Sequence, residues 1–183
     1  MKKSFILFAL IALALNVNFA NNNLPLNNGL TINEEPPTIV GVAAGNENFS
    51  TLVAAVKAAN LVDVLSAKGP YTVFAPTNDA FGKLPEGTVE TLVKPENKET
   101  LTAILTYHVV AGEVKAADVV AAIKANNGSY AIKTVQGGTI TASIKDGNVI
   151  LTDEKGNMSK VIMTDVDASN GIIHAIDTVV MPK

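Results

Sequence analysis

The segment Asn170–Pro182, NGIIHAIDTVVMP, sets the tightest limits on what this chain can fold into. It is rich in Ile, Val and Thr and reads as a strand whose side chains alternate between two faces. His174 then shares a face with Ile172 and Ile176, while Asp177 shares the opposite face with Ala175 and Val179. Residues three apart meet on a helix but diverge on a strand, so this His and Asp do not form a couple by themselves. An earlier run, Tyr71–Ala75 within YTVFAPTNDAF, is apolar on both faces and calls for cover on both sides. Pro76 ends it. Thr77 or Asn78 can cap the helix that opens at Asp79-Ala80-Phe81, and Asp79 suits the positive end of that helix. Between the two runs lies Tyr107–Gly112, YHVVAG.

The rest of the chain divides into a helical part and a strand-rich part. Phe49, Leu52, Val53 and Val56 recur at helical spacing, with Ser50 as candidate N-cap, and a short helix over Leu61–Ser66 stops before Gly69-Pro70. Further helices are expected around Thr88–Val93, Asn97–Tyr107 and Ala116–Ala125. After Asn126-Asn127-Gly128 the character changes. Thr139–Lys145 and Asn148–Thr152 flank Asp146-Gly147, a strong hairpin signal, and Lys160–Val166 follows the turn at Lys155-Gly156-Asn157. Helices first and strands last is an α+β pattern.

Taken in order, the block around Thr77, Asn78, Asp79 and Phe81, the Tyr107-His108 pair, and the block with Gly171, His174 and Asp177 resemble the signature segments of the fasciclin domain. The resemblance covers roughly residues 39–183. It implies a β-sandwich-like wedge with several helices packed on one side, in which the first and last blocks pack together. It also implies a secreted or surface-anchored adhesion module. In that family the Tyr-His pair is linked to receptor adhesion and also holds the fold.

The N-terminus suggests how such a module reaches its place of work. Lys2-Lys3, the apolar run Phe5–Leu15 and the polar residues from Asn16 read as a secretory signal peptide over residues 1–20, cleaved after Ala20 or after Ala14. The apolar run is shorter than the ~20 residues a membrane span needs. Residues 21–38, NNNLPLNNGLTINEEPPT, read as a flexible tether to a single domain at 39–183. With no cysteine, stability rests on core burial and not on disulfides. Export to the periplasm, cell surface or extracellular matrix is expected. Three N-x-[ST] sequons, at Asn48, Asn127 and Asn157, are read as unmodified because the compact, lysine-led leader looks bacterial.

Charge narrows the partners. Without Lys2 and Lys3, 12 of the 14 cations remain against 17 acidic side chains, a net charge of −5, and every cation is lysine. Nucleic-acid readers rely on basic patches and on arginine forks, so nucleic acid is disfavoured. A polyanionic glycan is disfavoured by the net sign, although a local lysine patch could survive it. The partner is expected to be a cell-surface or matrix protein or glycan. The absence of arginine rules out an Arg-Gly-Asp tripeptide.

Residues that could carry chemistry have plainer structural readings. His108 falls on the apolar stripe of its helix with Leu101, Ile104 and Leu105. There it can bond to backbone, and the nearby helix C-terminus would favour its protonated form. Tyr107 points elsewhere, with its hydroxyl at the surface. Asp177 is expected to accept backbone hydrogen bonds near the first block. Asp165 and Asp167, two apart on one strand face, with Asp153 and Glu154 in a nearby loop, read as a solvated acidic edge, with a weak Ca²⁺ site as the sharper alternative. Gln136-Gly137-Gly138 precedes a strand and cannot act as a phosphate loop. No catalytic residue, metal or cofactor is assigned. The chain is read as a non-enzymatic adhesion or interaction module. Its candidate contact residues are Tyr107, His108, Leu84, Pro85 and Leu92, in regions where family adhesion sequences lie, although the animal motifs themselves are not reproduced. The alternative is an exported small-ligand or lipid-binding protein with an apolar cleft.

Overall fold

A computed structural model describes residues 36–183; the signal-peptide and most of the tether expectations lie outside them. Seven strands form one mixed sheet in the order β2-β1-β7-β6-β5-β4-β3. In chain order the elements are α1 (Ile39–Ala44), α2 (Ser50–Ala58), α3 (Val62–Ser66), β1 (Tyr71–Pro76), α4 (Asn78–Gly82), α5 (Thr88–Leu92), α6 (Lys98–Tyr107) and β2 (Val109–Ala111). Then come α7 (Ala116–Ala125), β3 (Ser129–Lys133), β4 (Thr139–Lys145), β5 (Asn148–Thr152), β6 (Met158–Ala168) and β7 (Gly171–Ile176). The sheet curls until the Val135 N–H donates to the Val109 carbonyl, which nearly closes it into a barrel. The fold is α+β, as the pattern implied.

The signature blocks meet at the centre. β1 and β7 pair in parallel, Tyr71 opposite Gly171 through to Pro76 opposite Ile176. Both are buried on both faces. Val73, Ala75, Ile173 and Ala175 face a core made with α1–α4 and α6, while Phe74 and Ile176 face the barrel interior, filled by Tyr107, Val119, Ile123, Ile140 and Leu151. Each buried aliphatic side chain of this kind contributes about 1.5–3 kcal/mol. Gly171 is required by the close pairing. Its φ is +153°, and a Cβ there would collide with the Tyr71 carbonyl oxygen.

Local differences from expectation have local causes. Ser50 is the first residue of α2 and Phe49 takes the N-cap position, because a short 3₁₀ turn, Glu47–Phe49, leads directly into the helix. Ser50 Oγ instead bonds to the Asn78 side chain. α1, β2 and β3 were not expected. α1 is fixed by its N-cap Thr38 and by Asn170, whose Oδ1 accepts the Ile39 N–H at 2.9 Å. Asp165 and Asp167 do not share a regular strand face. β6 is irregular between Val161 and Val166, and Asp165 sits at φ +55°.

Candidate functional site

The first block holds the helical layer together. Thr77 Oγ1 accepts the Ala80 N–H and caps α4, whose first turn carries exposed Asp79, while Phe81 is buried in the core. Asn78 crosses to the preceding turn. Its Nδ2 donates to the Glu47 carbonyl at 2.8 Å, and its Oδ1 accepts the Thr51 N–H at 3.0 Å.

The last block continues beyond β7 as an irregular segment whose backbone is tied down by side chains. Asp177 Oδ1 accepts the Lys160 N–H at 2.8 Å, and its Oδ2 pairs with Lys83, just past the first block, at 3.1 Å. Burial pushes the Asp177 carboxyl up, but the Lys160 N–H, Lys83 and the Thr178 hydroxyl outweigh it and hold the group below the ordinary carboxylate range. Ser159 Oγ donates to the Thr178 carbonyl and accepts the Thr178 N–H. The Val180 N–H donates to His108 Nε2 at 3.2 Å, and the Met181 N–H donates to Asp153 Oδ2 at 2.9 Å.

His108 ends α6 with only 2% of its surface exposed. Because Nε2 accepts from Val180, Nδ1 carries the proton and donates to the Ile104 carbonyl at 2.8 Å. The expectation that the helix end favours the charged imidazole is corrected. Burial dominates and pulls the pKa down to about 4, against smaller upward contributions from the Ile104 carbonyl and Asp153. Tyr107 also differs from expectation. It is fully buried, its hydroxyl donates to the Thr139 carbonyl at 2.7 Å, and Gly138 packs against its ring. Neither Tyr107 nor His108 presents a surface that a partner could touch in this structure.

Asp153 was read as part of a solvated acidic edge, and it is buried instead. Its carboxylate accepts N–H groups from Lys155, Asn157, the Asn157 side chain and Met181. Burial alone would raise its pKa, yet these donors lower it. Asp165 Oδ1 accepts the Ala116 N–H at the start of α7. Asp153 and Asp165 thus have oxygens already committed to N–H groups, and among the described residues no three His, Asp or Glu side chains are grouped as metal ligands would be. Sequence reasoning missed Asp153 because DEKGN reads as an ordinary polar turn.

His174 lies on the barrel-facing side of β7, stacked on Phe74 with ring centroids 5.7 Å apart. Nδ1 accepts the Asp165 N–H at 3.2 Å, so Nε2 donates to the Val114 carbonyl at 2.9 Å. This is the opposite tautomer to that of His108. Both imidazoles have both nitrogens engaged by backbone, so neither is free to act as a base. His174 and Asp177 have separate partners, as the strand reading required. Asn170 and Thr72 are structural residues that sequence reasoning missed. Asn170 Nδ2 donates to the Leu65 and Ala67 carbonyls, and the Thr72 hydroxyl bridges the Gly112 carbonyl and the Val114 N–H.

The remaining contact candidates lie on the connection from α4 into α5. Pro85 is exposed, and Leu84 and Leu92 are half-buried against the helical core. The apolar cavity between α1, α2, α3 and α6 is about 30 Å³, bounded by residues such as Ile39, Leu52 and Val56. That is room for no more than a couple of water-sized groups, against the ~300 Å³ or more that a drug-sized ligand occupies. Among the described residues no helix is long and apolar enough to cross a membrane.

Comparison with known proteins agrees with this architecture. The family model described as the fasciclin domain matches residues 47–182. The chain is 58% identical over 145 residues to protein sll1483 of Synechocystis, covering 79% of this chain and 73% of that one. It is 41% identical over 149 residues to the immunogenic protein MPB70 of Mycobacterium bovis, covering 78% of this chain and 68% of the relative. The FAS1 domain pair of the insect cell adhesion molecule Fasciclin I shares the fold, with a TM-score of 0.71 at 21% identity. That alignment takes in 80% of this chain but about half (51%) of the insect chain. The buried motif residues, the parallel pairing of β1 with β7 and the family match together place this chain in the fasciclin domain family.

Proposed function

We propose that this protein is an exported, non-enzymatic adhesion or interaction module that works at the cell surface, in the extracellular matrix or in the periplasm. The observation that carries the reading is the occupation of the chemistry-bearing motif residues. His108, His174, Asp153, Asp177 and Asn78 all bind backbone or fold-internal partners, so they serve rigidity and leave the surface to do the binding. The fold likeness to a domain pair from a cell adhesion molecule supports the same reading. Pro85 and the accessible parts of Leu84 and Leu92 are the contact positions retained from the sequence, while the buried Tyr107 and His108 are not offered as contacts.

For the apolar-ligand alternative, the enclosed cavity of the helical core is too small, and the larger clefts, such as the one of about 390 Å³ bounded by Leu92, Ile104 and Met181, are open to solvent. The test is binding of the labelled exported protein to intact source cells and their extracted matrix, with and without chelator. Saturable binding competed by unlabelled protein is expected, with no effect of chelator. Absence of saturable binding overturns the proposal.

A further inference from the structure

Side chains alternate between the faces of a strand, so the registers assign the outer face of β3–β6 residue by residue. One row across it is Ser129, Ser143, Ile150 and Lys160. The next is Ala131, Thr141, Thr152 and Met158. Lys133 stands beside Thr139 at one end, and Lys145 beside Asn148 at the other. None of these residues is buried, because α1–α4 and α6 pack on the β1–β7 half and α7 packs on the inner face of β3 and β4.

The face carries Lys133, Lys145 and Lys160 and no carboxylate, in a chain whose net charge is −3. Ion pairs among the described residues are Lys83–Asp177 and Lys115–Glu113, so these three lysines are not in one. The neighbouring carboxylates sit at its margins and are directed elsewhere. Glu154 accepts the Thr139 N–H, Asp177 bonds to the Lys160 backbone and to Lys83, and Asp146 lies in the hairpin turn.

We propose that this bare sheet face binds a linear acidic polysaccharide with carboxylates repeated along its chain. The inference rests on the surface-contact reading above and names the partner's class. By strand geometry the three lysines stand roughly 12 to 20 Å apart, too far to converge on one small anion but suited to repeated charges on an extended polymer. The hydroxyls of Thr141, Ser143 and Thr152 between them can bond to sugar hydroxyls, and Ile150 and Met158 offer apolar ground for the C–H side of a sugar ring. Three cations are fewer than the roughly four to eight of a lipid-reading basic cluster. The face has neither arginine nor an aromatic ring, which separates it from nucleic-acid surfaces.

The test titrates the exported protein with polygalacturonate oligomers, with dextran as the neutral polymer and anionic phospholipid vesicles as the membrane arm. Lys133→Gln, Lys145→Gln and Lys160→Gln are combined in one variant. A second variant makes the same charge change on or beside the helices, with Lys57→Gln, Lys94→Gln and Lys124→Gln. The expected result is binding to polygalacturonate but not dextran that weakens at least tenfold between low and physiological salt. The sheet-face variant should lose about tenfold or more, and the helix variant should stay near wild type, with unchanged melting temperatures. Equal losses in both variants, full retention by the sheet-face variant, or stronger binding to vesicles than to the polymer overturns the proposal. The cell-binding assay separates the two readings. Wild-type cell binding that persists in the sheet-face variant sinks this face and leaves the contact role standing. Polymer binding without cell binding does the reverse.

Discussion

Under the helices, Asn170, His108 and His174 each join backbone groups from two different segments, and Thr72 ties down the Gly112–Val114 turn, whereas on the bare side Thr141, Ser143 and Thr152 point outward from the ladder. The first half carries the family's signature blocks and the second carries none of them. The covered half needs polar side chains wherever irregular backbone runs through a buried layer, because each such group is costly to leave unmatched. The bare half needs only alternation and a good turn. Its outer face can vary in sequence without disturbing the core, which makes it the natural place for a relative to change partners.

Glycine substitution should separate the halves most sharply. Gly171→Val, in the covered half, places a side chain against the Tyr71 carbonyl at a φ that L residues rarely adopt. Loss of about 4 kcal/mol or more is expected, seen as failure to recover folded protein. Gly147→Ala in the bare hairpin has the left-handed φ of +75° but open space around it. A loss of about 1–2 kcal/mol by urea denaturation is expected there. Similar losses at the two positions would break the comparison.

Acid should act first on the covered half. His108 is held near pH 4, below the 6.5 of an unburied imidazole. The unfolded chain therefore takes up a proton between pH 6.5 and 4 that the folded chain refuses. The stability tied to neutral His108 is complete above pH 6.5 and is lost as the pH falls toward 4, by roughly 3 kcal/mol. Asp153 and Asp177, whose folded pKa values are lowered, hold their contributions above the ordinary carboxylate pKa and lose them on further acidification. Denaturation midpoints measured across pH 7 to 4 should slope downward in the wild type, and His108→Gln should flatten that slope. An equal slope in the variant would remove His108 as its source.

Asp153→Asn tests the buried carboxylate directly. The amide puts a donor where an N–H of Lys155, Asn157 or Met181 now finds an acceptor, and about 2–3 kcal/mol should be lost. Asp146→Asn, in the hairpin turn at φ +51°, should stay within about 0.5 kcal/mol because Asn tolerates that conformation. Thermal denaturation of the two variants side by side is the measurement.

Legibility in the sequence follows the same division. α7 and the β4–β5 hairpin lie where the sequence placed them, Ala116–Ala125 and Thr139–Lys145 with Asn148–Thr152, because local periodicity and Asp146-Gly147 suffice to define them. α1 was missed because IVGVAA has little helical signal of its own and depends on Thr38 and the distant Asn170. β2 has three residues and exists through its pairing with β1. The separation of His174 from Asp177 follows from a period of two. The burial of Asp153 and Tyr107 depends on contacts with Met181 and Thr139, 28 and 32 residues away, which no local pattern encodes.

The smallest effect concerns one hydroxyl. Tyr107→Phe keeps the ring that fills the barrel interior but leaves the Thr139 carbonyl and the Glu154 N–H without their shared partner. The expected loss is about 1 kcal/mol, the net value of a typical buried hydrogen bond. Tyr130→Phe on β3 removes a hydroxyl from a half-exposed ring and should cost a few tenths of a kcal/mol at most. Cell binding should be unchanged in both variants, because the Tyr107 hydroxyl lies inside the fold. Weakened cell binding by a Tyr107→Phe protein of near-native stability would instead show that the Tyr-His pair reaches a partner directly, through a conformation in which the covered half opens.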